Sequence, residues 1–209
     1  MTLEDFLARA AGGRPPAADG MVTILPQPSP RDLGVIAFTG HSVVFADLDP
    51  QWIRDRLPEG DLSAPLNPPF LRALEVETGR AVDNIDVLAL GLPDHGPLPS
   101  GLDEVTGHDH PRVARAMRHR SAVRVWTCEE GVLTIGRGVA GRWEVAVEVA
   151  PEHRGRGAGR RLALAARRLC DAPLWAQIAP GNAASLRAFL AAGFAPMGAE
   201  ALLLAAESR

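Results

Sequence analysis

The sequence predicts a mixed α/β fold, a β-sheet flanked by helices. From residue 123 onward, short apolar and β-branched runs alternate with helix-period segments in the order β-β-β-α-β-α-β. Turns carrying Glu130-Gly131 and Gly141 separate the first three runs, as strand boundaries require. The chain has 209 residues and 46% hydrophobic content, enough for a core domain, with or without a lobe.

Taken in order, residues 2–11 read as a short amphipathic helix, broken by the Gly/Pro/Ala stretch 12–19. Residues 22–25 suit a short strand. The runs 35–38 and 42–46, around Thr39-Gly40-His41, suggest a hairpin. Asp49-Pro50 opens a helix to about Leu57, since Pro is tolerated in the first turn. Residues 69–78 have helical spacing and stop at Gly79. Residues 85–90 read as a buried strand. The stretch 91–111, rich in Gly, Pro, Asp and His, reads as a long exposed loop and the best domain boundary. The predicted division is 1–110, an N-terminal α/β lobe that is either a degenerate relative of the core or an added substrate-side lobe, and 111–209, the core. Within the core, 112–120 is a helix; 123–127, 132–139 and 143–149 are strands; 157–169 is a helix, 174–178 a strand, 183–192 a helix closed by Gly193, and 202–205 a last strand.

Composition narrows the chemistry. No apolar run is long enough to cross a bilayer, and the first residues lack a signal-peptide layout, so no membrane partner is expected. Cys128 and Cys170 are far apart and form no CxxC pair, which argues against a disulfide framework or a Cys-type zinc site. A reducing, cytoplasmic setting follows as the expectation. The chain holds no lysine and no tyrosine, so mechanisms needing either are excluded. The net charge of −3 hides an asymmetry. Residues 1–110 carry 7 Arg against 17 acids, and residues 111–209 carry 15 Arg against 8. A basic half suits a polyanionic ligand, although two ordinary solvated surfaces would give the same balance.

One stretch concentrates the chemistry. Residues 143–149 run as a strand through Ala150-Pro151-Glu152-His153 into Arg154-Gly155-Arg156-Gly157-Ala158-Gly159-Arg160, which opens a helix. Glycines let main chain approach a ligand and adopt positive φ. The helix start adds unpaired N–H groups and a positive dipole end, together an anion site for phosphates. A tight strand–helix connection would use similar glycines. Walker A needs a Lys, and the dinucleotide fingerprint needs G-x-G-x-x-G; neither is present.

Val149-x-Pro151 followed by Arg154-x-x-Gly157-x-Gly159 resembles motif A of the GCN5-related N-acetyltransferases, the GNAT superfamily. Asn182-x-x-Ser185 with Phe189 and Gly193-Phe194 resembles the same family's later helix. The resemblance spans about residues 123–205. It implies a mostly antiparallel sheet flanked by helices, acetyl-CoA as cosubstrate, no metal, and an amine acceptor. The coenzyme residues it implies are the main chain of Val147 and Val149, the turn Arg154, Gly155, Arg156, Gly157, Ala158, Gly159 and Arg160, then Asn182, Ser185 and Phe189. Asn182 also fits a helix cap. The implied chemistry is direct attack of a primary amine, of a small molecule or peptide, on the thioester.

Two positions depart from the family pattern. The usual acid is a Tyr, and its place is taken by Phe189, which cannot donate a proton. Some relatives use a Glu at the start of the strand before motif A; that position falls on Trp143, with Glu144 beside it. A one-residue shift reverses the face of a strand, though a bulge restores it. Glu144 is therefore a candidate base, and Glu148, on the same face, the alternative. A solvated strand face would accommodate both.

Other readings stay in view. His95, His108, His110, Asp94 and Asp109 could ligate a metal but fit a polar loop better. The run Arg112, Arg115, Arg118, His119, Arg120 and Arg124 lacks interleaved aromatics, so it fits a solvated helix near a coenzyme entrance better than a nucleic-acid surface. Trp126, Trp143 and Trp175 are expected in core or pocket wall. The expectation is an N-acetyltransferase, monomer or homodimer. The alternatives are a non-catalytic acyl-CoA-binding sensor of the same fold and a nucleic-acid-binding module.

Overall fold

The computed structural model describes residues 1–106 and 109–205. In chain order the elements are α1 (Leu3–Ala11), β1 (Val22–Leu25), β2 (Gly34–Phe38), β3 (His41–Phe45), α2 (Pro50–Arg54), α3 (Pro68–Thr78), β4 (Ala81–Gly91), β5 (Asp103–Val105), α4 (Pro111–His119), β6 (Ser121–Cys128), β7 (Gly131–Arg137), β8 (Trp143–Val149), α5 (Ala158–Leu169), β9 (Leu174–Ile178), α6 (Ala183–Ala191) and β10 (Ala195–Leu204). The chain forms two compact units, Met1–Val87 with Met197–Arg209, and Leu88–Pro196.

In the first unit, Thr2 and Asp5 close a capping box on α1, which buries Leu3, Phe6, Leu7 and Ala10. β2 and β3 form the expected hairpin, closed by the pair Phe38↔His41. β1 lies parallel beside β3, and β10 pairs antiparallel with β2 over Gly198–Leu202. Ile53 of α2 and Phe70, Leu71 and Leu74 of α3 pack with Val35, Val44, Ala201 and Leu203. Burying each large side chain contributes about 1.5–3 kcal/mol.

The second unit is built on an open, mostly antiparallel sheet flanked by helices. β5, β6, β7 and β8 follow one another antiparallel, and β9 runs parallel to β8. α4 packs Val113 against Val125 and Val132, while α5 lies against β7, β8 and α6.

β1, β8 and β9 have the bounds that the sequence predicts. The division between units does not fall at residue 110. The stretch after β4 belongs to the second unit because α5 holds it. Arg167 Nε donates to Leu92 O at 2.6 Å, Asp94 N donates to Arg167 O at 3.0 Å, and Arg168 pairs with Asp94. β5, inside the supposed loop, pairs with β6. β4 and β10 exceed their predicted lengths by including residues such as Asp83, Asn84 and Gly198, which lack strand character. No helix among the described residues is long and apolar enough to cross a membrane.

Candidate functional site

β8 and β9 pair only through Trp143↔Leu174 and Glu144↔Trp175. Beyond Glu144 the two strands are unpaired, so the C-terminal half of β8 has one open edge. Which main-chain groups face it follows from strand alternation. Ala150 N donates to Glu130 O at 2.9 Å, toward the β7 side. The odd-numbered residues therefore turn their N–H and C=O the other way, into the fork. Val147 and Val149 are these residues. A cleft of about 770 Å³ opens there, lined by β8, the glycine turn, the start of α5 and α6.

The turn is built on left-handed glycines and opens directly into α5. Gly155 and Gly157 have φ of 73° and 81°, left-handed values that an L side chain adopts at a cost. Gly157 is the N-cap of α5 and offers no side chain to the helix N–H groups, leaving the first-turn donors for a ligand. Gly159 is small for a different reason. A Cβ there would stand 3.3 Å from Ala188 Cβ and 3.5 Å from Val149 Cγ2, so α5, α6 and β8 converge on it. Arg154, Arg156 and Arg160 are exposed around the turn, and Arg154 Nε donates to Val149 O at 3.4 Å.

The opposite wall is α6. Asn182 caps it by accepting from Ser185 N at 3.0 Å. Phe189 is buried edge-on against Phe194, with ring centroids 4.9 Å apart. Val147, Val149, Arg154, Gly155, Gly157, Ala158, Gly159, Arg160, Asn182, Ser185 and Phe189 all line the cleft; Arg156 does not. Arg112, His153 and Arg187 line it too. Arg112 was legible only as one charge in a basic run, because its partner lies 36 residues further on. His153 lay inside the motif, and Arg187 inside the later helix, neither with a signal of its own.

The two glutamates of β8 part company. Glu144 is buried, with a carboxylate shared by Arg142 Nε at 2.8 Å and Arg120 Nε at 2.9 Å, and it accepts from Val139 N at 3.2 Å. Gly138 leaves room for it; a Cβ there would lie 2.1 Å from Glu144 Cδ. Burial alone would push the Glu144 carboxyl up, but the charges of Arg142 and Arg120 and their hydrogen bonds outweigh it and hold it below the ordinary range. Glu144 does not line the cleft. Its oxygens are occupied by Arg120 and Arg142 within the protein. Glu148 does line the cleft and is partly open. Its Oε2 accepts from Arg112 Nε at 3.1 Å and Nη2 at 2.7 Å, and its Oε1 lies 3.9 Å from Arg154 Nη2.

α4 fits this arrangement by length. Arg112 and Arg120 are separated by about 12 Å along a helix and Glu144 and Glu148 by about 13 Å along a strand. α4 together with its C-cap residue Arg120 thus reaches both carboxylates.

The remaining candidates are placed elsewhere. His110 accepts from Arg112 N at 3.1 Å and caps α4. Asp94 is engaged by Arg168, and His108 lies outside the described residues. Among the described residues, no three His, Cys, Asp or Glu side chains are grouped to hold a metal. Trp126 and Trp175 are buried, and Trp143 stacks beneath Arg137, 4.1 Å from its ring centroid. Buried Cys170 has its thiol pushed up by desolvation, which makes a thiolate harder to form.

A sheet that forks above a glycine turn, with the turn feeding a helix, defines a GNAT-type acyltransferase fold. Residues 113–194 match the model of the Acetyltransferase (GNAT) family. The matched segment lies within the second unit. No curated protein matches the chain. Among solved structures it is similar to a GCN5-related N-acetyltransferase from Kribbella flavida, with 17% identity, a TM-score of 0.42, and 66% of this chain and 64% of that one covered. A GNAT-family acetyltransferase structure from Novosphingobium aromaticivorans has 22% identity and a TM-score of 0.42, over 61% of this chain and 67% of that one. A Drosophila protein has 17% identity and a TM-score of 0.42, over 64% of this chain and 55% of that one. The chain thus spans just under two thirds of the Kribbella protein's length. The match of residues 113–194 supports acyl transfer as the general class of chemistry.

Proposed function

We propose that the chain transfers an acetyl group from acetyl-CoA to a primary amine of a small molecule or peptide. The observation that carries this reading is the fork: the strands separate directly above a glycine turn with free helix N–H groups. An extended pantetheine arm could hydrogen-bond to the open edge at Val147 and Val149. The amides of residues 154–160, with Arg154, Arg156 and Arg160 around them, would hold the pyrophosphate. Asn182, Ser185 and Phe189 would complete the opposite wall.

In the reaction, a neutral amine attacks the thioester carbonyl and a new C–N bond forms. The carbonyl oxygen gains charge in the transition state, which main-chain N–H groups at the fork can stabilise. Collapse breaks the C–S bond, and the thiolate of coenzyme A leaves. Among the described residues Glu148 is the one carboxylate lining the cleft, so it is assigned the proton lost by the amine, directly or through water. Glu144, buried and away from the cleft lining, is not assigned that role. With Phe189 in the family's acid position, water protonates the thiolate.

The same two observations, Phe189 and the engaged Glu144, also favour a second reading: a sensor that binds acyl-CoA without turnover. The discriminating experiment follows free-thiol release from acetyl-CoA across a panel of primary amines, with calorimetric coenzyme binding in parallel. Thiol release matched by acetylated amine is expected. Binding without turnover for any acceptor would favour the sensor. Salt-dependent DNA binding without coenzyme affinity would end both readings.

A further inference from the structure

The glycine turn is held from behind by an ion pair that does not line the cleft. Glu130 belongs to the turn between β6 and β7, and its carbonyl accepts from Ala150 N at the end of β8. Its carboxylate is embraced by Arg161 of α5. Nε lies 3.1 and 3.0 Å from the two oxygens, and Nη2 also donates to Oε1. The remaining amino group, Nη1, donates to the carbonyl of Arg156 at 3.0 Å. Arg156 stands between Gly155 and Gly157, both left-handed. One guanidinium therefore ties the middle of the glycine turn to the neighbouring turn, which already pins the strand leading into it.

Magnitudes suggest what this arrangement is for. The Arg161 side chain is 47% exposed and that of Glu130 28%. A pair so exposed contributes little to stability. Its contact with the backbone falls where ordering costs most, between two glycines, which lose more freedom on being ordered than any other residue. A turn fixed before the ligand arrives does not lose that freedom on binding, and affinity rises accordingly.

We propose that Glu130 and Arg161 are positioning residues that preorganise the amides of residues 155–159 for a coenzyme pyrophosphate; the proposal rests on the coenzyme reading above. Neither residue need touch the ligand. Arg161 acts through the Arg156 carbonyl, and Glu130 fixes the direction in which Arg161 points.

The test is calorimetric titration of coenzyme A into the full chain and its variants Arg161→Ala, Glu130→Gln and the double variant Glu130→Ala/Arg161→Ala. Wild-type binding tests the coenzyme reading itself; if none occurs, that reading fails and the role of this pair with it. Given wild-type binding, Arg161→Ala should bind about tenfold more weakly, equivalent to about 1.4 kcal/mol. The double variant keeps the wild-type net charge, yet should bind as weakly as Arg161→Ala. Glu130→Gln retains an acceptor oxygen and should stay within about threefold. The melting temperature of Arg161→Ala should barely move, and kcat at saturating acetyl-CoA should match the wild type. Undiminished binding by Arg161→Ala would overturn the proposal. So would recovery of wild-type affinity in the double variant, since the loss would then come from the exposed charge of Glu130. An affinity loss seen only where the variant begins to unfold would also overturn it.

Discussion

The two ends of β8 put the same residue type, on the same strand face, into opposite surroundings. At the closed end, Glu144 lies where β8 still pairs with β9, sealed from water between Arg120 and Arg142. At the open end, Glu148 lies beyond the last such pair, on the wall of the cleft, with one oxygen held by Arg112. A carboxylate needs access to a substrate to act as a base, and it needs a counter-charge to survive burial. The closed end supplies only the second. Glu144 is thus a structural anion that fastens α4 and the turn before β8, while Glu148 keeps solvent and ligand within reach. The distinction can be broken at either end.

The largest effect is expected at the closed end. Glu144→Ala removes the carboxylate that buried Arg142 and half-buried Arg120 share, and breaking a buried pair in this way costs about 3–5 kcal/mol. Urea unfolding should show that loss. The pH dependence has a definite sign. The folded carboxyl titrates below its ordinary value near 4.5. Its contribution is therefore full above that ordinary value and is lost as pH falls through the depressed folded one. Wild-type stability should fall in acid more steeply than that of Glu144→Gln. A variant as stable as the wild type, with an altered pH–rate profile instead, would return Glu144 to the list of candidate bases.

At the open end the expected change is in rate. Glu148→Gln keeps the side-chain shape and can still accept from Arg112, so its melting temperature should stay close to the wild type. Loss of a general base should lower kcat about 10²-fold near neutral pH. Steady-state assays with the amine that turns over best would measure it. An unchanged kcat and pH profile would leave proton removal to water and erase the functional half of the comparison.

The sequence made the open end legible and the closed end illegible. Val149-x-Pro151, the glycines 155, 157 and 159 and Asn182 act through local backbone conformation, and all belong to one short strand–turn–helix and the next helix start. Local signals of that kind survive in a sequence. Glu144 depends on Arg120, which is 24 residues away, and on a strand register that no nearby residue reveals. Periodicity put Glu144 and Glu148 on one face and could not show that α4 covers one and only borders the other. The strands β4 and β10 were under-read for a similar reason. Their polar positions lack strand character of their own and become strand through pairing.

The smallest expected effect on rate concerns the wall facing Glu148. Phe189→Tyr would restore a hydroxyl where the family uses one. The ring is 5% exposed and packed edge-on against Phe194, so the added oxygen should cost about 1–3 kcal/mol unless it finds a partner. If a thiolate of ordinary acidity, near pKa 8.5 for a simple thiol, leaves without help, an added acid changes little. An increase in kcat below about threefold is expected on that ground, alongside a drop in melting temperature. A tenfold gain would mean that proton delivery to the leaving thiolate limits the wild type. The open end of β8 would then be only half equipped for catalysis, with a base but no acid, and the sensor reading would gain what the transferase reading lost.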